Sequence, residues 1–324
     1  MTATALAPTG AVPERAARPR VIAHRGNSSV APQNTLAAFE AAWRAGAHSI
    51  EIDVQLTADG EPVVIHDDTV DATTSGSGTV ARLDRAAIRA LDAGSWFSPA
   101  FGGQRVPTFA EVVDLLVRRP GMDLLLELKG SWTVEQVRRV TGPIRFAGIA
   151  DRVVAQSFWP ETVAALREAD PGLRRGLLVV ALDDDVLARC AELDVVTCNP
   201  MGALLLEDPD LVQRLHDAGL EVAVWTLNEP AHWAAAVDLG VDAIITDRPD
   251  RLAGWLAAPV SRPAADASRG QRTTMVVTTS VTLGRGGVDP KPNRTGGTTS
   301  RRSPSDVPSH RVRAARSAWT SVAP

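Results

Sequence analysis

Cysteine is almost absent from this 324-residue chain, which has only Cys190 and Cys198. The pair fits neither a zinc-ligand spacing nor a disulfide framework, and is expected as small buried thiols. No run of about 18 apolar residues occurs, which excludes an ordinary transmembrane helix. The first twenty residues are rich in Ala, Pro, Thr and Arg and lack the apolar stretch of a secretory signal, so cytoplasmic residence is the expectation. Excess positive charge is missing too, the net charge being -4. Residues 262–324 hold 11 basic and 3 acidic side chains, whereas the rest of the chain holds 23 and 35. An acidic body argues against nucleic acid as a partner. A small molecule is the expected partner, and the sequence leaves the oligomeric state open.

What is present is a rhythm. Residues 1–19 read as a flexible lead-in. From residue 20 to about 259, extended runs alternate with amphipathic segments. The runs are 20–24, 48–55, 62–66, 122–129, 152–157, 174–180, 194–198, 221–226 and 241–246. The amphipathic segments between them include 35–46, 108–118, 133–141, 160–169, 183–192, 209–218 and 230–239. Asn34 or Thr35 can cap the first of them. Runs such as Leu124-Leu125-Leu126 and Ala243-Ile244-Ile245 have no polar face, as befits strands covered on both sides. Repeated alternation predicts a parallel sheet with helices outside, and an eight-stranded (β/α) TIM barrel fits best. Nine runs are one too many, so one belongs to a hairpin or lies outside the barrel. Residues 70–106 break the rhythm and are long for a connector, which predicts an insertion over the site. Residues 260–324, rich in Ser, Thr, Arg and Pro, are expected to be a disordered basic tail.

The hairpin reads from Asp59-Gly60 between two alternating runs. A two-residue loop would set Ala58 opposite Glu61 and therefore Asp53 opposite His66. Glu51 would share their face, and Ile50, Ile52, Val54, Leu56, Val63 and Ile65 would form the packing face.

Catalytic groups of such barrels sit at the C-terminal ends of strands. The first run ends in His24-Arg25-Gly26, the second carries Glu51 and Asp53, and a later one ends in Glu127-Leu128-Lys129. Three carboxylates without His or Cys suit a hard divalent cation, Mg²⁺ or Ca²⁺. His24 and His66 could remove one proton and supply another near neutral pH, as phosphodiester cleavage requires. Arg25 offers a planar fork for phosphate and Lys129 a point charge. His48, His216, His232 and His310 lie elsewhere in the pattern and are expected to be non-catalytic.

These residues fall within AHRGNSSVAPQNTLAAFEAAWRAGA, IEIDVQLTADGEPVVIHDDT, LDAGSWF, VPTFAEVVDLL, LLLELK, VVAQSF, VWTLN and DAIITDRPD. That ordered set, over about 21–250, resembles the glycerophosphodiester phosphodiesterase family. The resemblance implies a (β/α) barrel, a divalent cation, and hydrolysis of glycerophosphodiesters to glycerol 3-phosphate and an alcohol. Carried over by position, His24 and His66 become the acid/base pair, and Glu51, Asp53 and Glu127 the metal ligands. Arg25 and Lys129 become phosphate contacts, and Trp225 a wall of the pocket. The chain departs from the family at Pro32-Gln33-Asn34-Thr35, where the family usually has Pro-Glu-Asn-Thr. Gln33 keeps the shape and loses the charge, which bears on activity and metal affinity. Two other functions compete. Related barrels cleave lysophospholipids or sphingomyelin at the headgroup, and the insertion around Trp96 and Phe97 could accept an acyl chain. A catalytically silent ligand-binding barrel is the third reading, supported by Gln33 alone.

Overall fold

The computed structural model describes residues 18–258. The expected tail over 260–324 lies outside them, as does the lead-in apart from residues 18 and 19. In chain order the strands are β1 (Arg20–His24), β2 (Ser49–Leu56), β3 (Pro62–Val64), β4 (Asp123–Leu128), β5 (Val153–Ser157), β6 (Arg174–Val179), β7 (Thr197–Pro200), β8 (Glu221–Val224) and β9 (Ala243–Thr246). Eight of them close into a parallel ring, because β1 pairs with both β2 and β9. The surplus run is β3, which pairs antiparallel with β2 and stands outside the ring.

Alternation divides each strand between two environments. Ile22, Leu125, Ala223, Ala243 and Ile245 form a cluster of their own inside the barrel. Their neighbours Val21, Ala23, Leu124, Leu126, Val222, Val224 and Ile244 face outward into the main core against the helices. Residues of the inward parity near the strand ends therefore converge on the barrel mouth. Helices at Leu36–Arg44, Phe109–Arg118 and Val134–Phe146 start at Thr35, Thr108 and Thr133, whose hydroxyls accept backbone N–H groups of the first turn. Thr35 is thus the cap left open between two residues, and Asn34 is used elsewhere. Two further helices are Gly202–Glu207 and Pro249–Ala257. Among the described residues, no helix is long and apolar enough to cross a membrane.

The hairpin corrects the expected register. Val54 faces Val64, Gln55 faces Val63 and Leu56 faces Pro62, so Asp53 lies opposite Ile65 rather than His66. The cause is a longer loop. The Glu61 carbonyl accepts from the Thr57 N–H, Gly60 N–H donates to the Thr57 carbonyl, and Gly60 takes φ of 76°. The Thr57 hydroxyl contacts the Asp59 carboxylate and accepts the Glu61 N–H, which stabilises a turn of three residues, 58–60, between the closing pair Thr57 and Glu61 instead of two. Val63 and Ile65 consequently leave the expected packing face. They join Val70, Val80, Ile88, Ala93 and Val106 in a second small core, so the segment 70–106 folds around an apolar centre of its own.

Candidate active site

Parallel register brings the acidic residues together. His24 on β1 is the ladder partner of Glu51 on β2, and Asp53 is the partner of Glu127 on β4. All four have the inward parity. One oxygen from each of Glu51, Asp53 and Glu127 lies within 4.8 Å of the others, and all three residues are buried. At an effective dielectric near 20, each ionised pair at that distance repels by roughly 3 kcal/mol. Two fixed cations answer this. Arg25 Nε is 3.3 Å from Asp53, and Lys129 Nζ is 3.2 Å from Glu127 and 3.8 Å from Asp53.

Two cations do not balance three carboxylates, and the protonation preferences record it. Burial, with Asp53 and Glu127 nearby, raises the Glu51 carboxyl well above its usual range. Burial likewise raises Glu127, against the pull of Lys129. Burial works on Asp53 as well, but the charges of His66, Arg25 and Lys129 and a bond from Asn34 outweigh it and hold that carboxyl low. The Asn34 amide donates to Asp53 Oδ2 at 2.9 Å. Glu127 Oε1 is fully buried and receives no well-directed hydrogen bond. A buried set of three oxygen donors with only two permanently charged partners, Arg25 and Lys129, fits a hard divalent cation.

The turn after β1 is bent toward this set. Arg25 adopts φ of 57°, unusual for a side-chain-bearing residue, and its N–H donates to Glu51 Oε2 at 3.1 Å. Gly26 follows at φ 85°, where a Cβ would lie 2.7 Å from Ala38. Arg25 Nη1 donates to Gln33 Oε1 at 2.6 Å. Gln33 therefore keeps the contact with arginine, and what it lacks is charge.

Each histidine stands against its own carboxylate. His24 Nδ1 is 2.6 Å from Asp247 Oδ1, and His66 Nδ1 is 2.7 Å from Asp67 Oδ1. Asp247 follows β9 and is held by the Asn228 amide at 2.6 Å and the Ser28 hydroxyl at 3.1 Å. Burial would raise its carboxyl, but the bond to His24 and that residue's charge hold it low. An ionised carboxylate only accepts, so each Nδ1 carries the proton and Nε2 is the nitrogen left to exchange protons. Burial and the Arg25 charge lower the pKa of His24, with Asp247 working the other way.

The structure thus assembles His24, Arg25, Glu51, Asp53, His66, Glu127 and Lys129. His66 arrives from beyond the end of β3, and its charge acts on both Asp53 and Glu127. Trp225 lies past the end of β8, across the mouth. Its indole N–H donates to the Asn199 carbonyl at 2.9 Å, and its ring meets Phe158 edge-on at 5.5 Å. His48 faces outward and accepts the Val21 N–H at 3.0 Å, and His216 contacts Asp242 at 2.8 Å. The sequence alone gave no role to Asp67 or Asp247, and offered Asn34 only as a possible helix cap. The signal for Asp247 was its parity, since residues 243, 245 and 247 alternate onto the inner face.

Comparison with known proteins agrees with this geometry. The sequence profile of the glycerophosphoryl diester phosphodiesterase family matches residues 24–251. A glycerophosphodiester phosphodiesterase of Caldanaerobacter subterraneus is 34% identical over 234 residues, covering 72% of this chain and 95% of that protein. One from Bacillus altitudinis is 31% identical over 238 residues, covering 72% and 96%. Among solved structures, an Oleispira antarctica phosphodiesterase in complex with the product sn-glycerol-3-phosphate superposes with a TM-score of 0.71 at 30% identity, covering 74% of this chain and 97% of that one. With the profile spanning most of the chain and the barrel, mouth and motifs in the expected places, the protein belongs to the glycerophosphoryl diester phosphodiesterase family.

Proposed function

We propose that the chain hydrolyses glycerophosphodiesters to sn-glycerol 3-phosphate and an alcohol at the barrel mouth, within a domain spanning about 20–259. The observation that carries this reading is the pairing of two carboxylate-backed histidines with one buried set of three acidic side chains. Glu51, Asp53 and Glu127 would hold a divalent cation, Mg²⁺ or Ca²⁺. When bound, that cation supplies Lewis-acid stabilisation of charge on the phosphoryl oxygens. Arg25 and Lys129 orient the phosphate and take up part of the same charge. One imidazole removes a proton from the attacking oxygen, and the other gives one to the departing alcohol through Nε2. Asp247 and Asp67 keep each ring in the tautomer that makes this possible. Trp225 walls the side of the pocket away from the acidic set.

A lysophospholipid substrate draws on a different observation. Trp96 is 42% exposed on the inserted segment and packs edge-on against Phe97, which meets Phe101 in the same way. The test is a panel of glycerophosphocholine, other glycerophosphodiesters and lysophospholipids, each assayed with Mg²⁺, with Ca²⁺ and with chelator. Release of glycerol 3-phosphate that needs metal and disappears in His24→Ala and His66→Ala supports the proposal. Headgroup release from lysophospholipid alone would favour the second substrate class, and binding without turnover a silent barrel.

A further inference from the structure

His66 has a positional difficulty that the ladder does not solve. β3 ends at Val64, and the last backbone bond toward β2 is from Ile65 N–H to the Asp53 carbonyl at 3.0 Å. His66 and Asp67 lie past that bond, at the root of the inserted segment. Nothing in the β2–β3 pairing fixes their backbone relative to the acidic set. One side chain does. The Gln55 amide nitrogen donates toward three successive carbonyls, those of Ile65 at 3.1 Å, His66 at 3.0 Å and Asp67 at 2.7 Å. Three acceptors around one terminal atom require that atom to be nitrogen, since an oxygen there would be repelled by all three.

We infer that Gln55 is a positioning residue for the reaction: it ties the His66-Asp67 segment to β2, the strand that carries Glu51 and Asp53. Gln55 has the same parity as those two residues and lies one step beyond Asp53 on their side of the strand. Its half-buried side chain spans the gap that opens as β3 leaves the ladder. The His66 ring is thereby referenced to the acidic set by a short rigid path of strand, amide and carbonyl. Proton transfer tolerates little displacement, and an error near 1 Å can cost on the order of 100-fold in rate. Gln55 itself donates only to main chain in this arrangement, so it acts through His66 and takes no part in the chemistry.

The inference rests on the proposed role of His66, and a double-mutant cycle separates the two. Gln55→Met keeps length and volume and removes the donor. Gln55→Glu, which also cannot donate, serves if the first variant fails to fold. Turnover of a glycerophosphodiester is measured for wild type, Gln55→Met, His66→Ala and the double variant, with cation affinity followed by calorimetry. Gln55→Met is expected to lower kcat roughly 10- to 100-fold, with cation affinity changed less than about threefold. In the His66→Ala background the same substitution should change kcat by less than about twofold. Equal losses in both backgrounds would overturn the inference, as would a wild-type kcat in Gln55→Met beside an inactive His66→Ala. Wild-type turnover in His66→Ala would overturn the functional reading itself, and this inference with it.

Discussion

Asp247→Asn is the substitution that most sharply separates a poised imidazole from a merely nearby one. Two N–H donors meet the Asp247 carboxylate on different oxygens, His24 Nδ1 on Oδ1 and the Asn228 amide on Oδ2, both at 2.6 Å. An asparagine offers one oxygen and one NH₂ in the same volume. If the oxygen serves Asn228, the NH₂ faces His24 Nδ1 and favours the tautomer with its proton on Nε2, the wrong nitrogen for a base. If the oxygen serves His24, two NH₂ groups collide at Asn228. A hydrogen bond to a charged group contributes about 1.5–3 kcal/mol. At roughly 1.4 kcal/mol per factor of ten, its loss alone shifts the tautomer balance about 10- to 100-fold. Loss of the negative charge also removes support for the imidazolium formed in the reaction. Together these lower kcat by roughly 10²- to 10⁴-fold. Cation affinity should stay within about threefold, because Asp247 is not among the three acidic side chains that gather at the mouth. The assay is glycerol 3-phosphate release at saturating cation, with affinity measured separately. A kcat within about fivefold of wild type, or a loss confined to KM, would refute the reasoning.

Three further outcomes follow from the same geometry. Glu51 and Glu127 have raised pKa values without a cation, so their stabilising contribution is full below the usual carboxyl value and is lost as pH rises through the raised folded values. Cation binding needs the deprotonated forms, so the gain in Tm on adding Mg²⁺ or Ca²⁺ should grow between pH 5 and pH 8, and calorimetry should detect proton release; a gain that shrinks with pH contradicts this. Gly26→Ala must place a Cβ 2.7 Å from Ala38 at a φ of 85°, and should cost about 2–4 kcal/mol by denaturant titration, whereas Gly46→Ala, also at positive φ but with open space around it, should cost less. Gln33→Glu adds charge to a contact with Arg25 that already exists at 2.6 Å, so kcat/KM and cation affinity should change by less than about tenfold.

Much of this arrangement was legible because a strand has a period of two and a parallel ladder keeps register. Glu51, Asp53 and Glu127 share a parity and abut across neighbouring strands, so their convergence needed only the barrel and the alternation. The Asp53–His66 pairing was misread because loop length depends on a side chain. The Thr57 hydroxyl helps stabilise a three-residue turn that Asp59-Gly60 alone does not announce. His66 nonetheless reaches the site, since the chain leaves the ladder immediately before it. Asp247 is 223 residues from His24 and meets it only because β9 closes on β1. Asn34 and Gln55 carry no charge, and composition gives an amide no signal until its partners are in place.

The central claim is that one cation is held jointly by Glu51, Asp53 and Glu127. Anomalous diffraction from crystals soaked in Mn²⁺ tests it most directly, with Mn²⁺ as the probe. The account predicts a single strong peak at the barrel mouth, with an oxygen of each of the three residues within about 2.0–2.6 Å. No peak there, or an ion ligated by only one of the three, would contradict it.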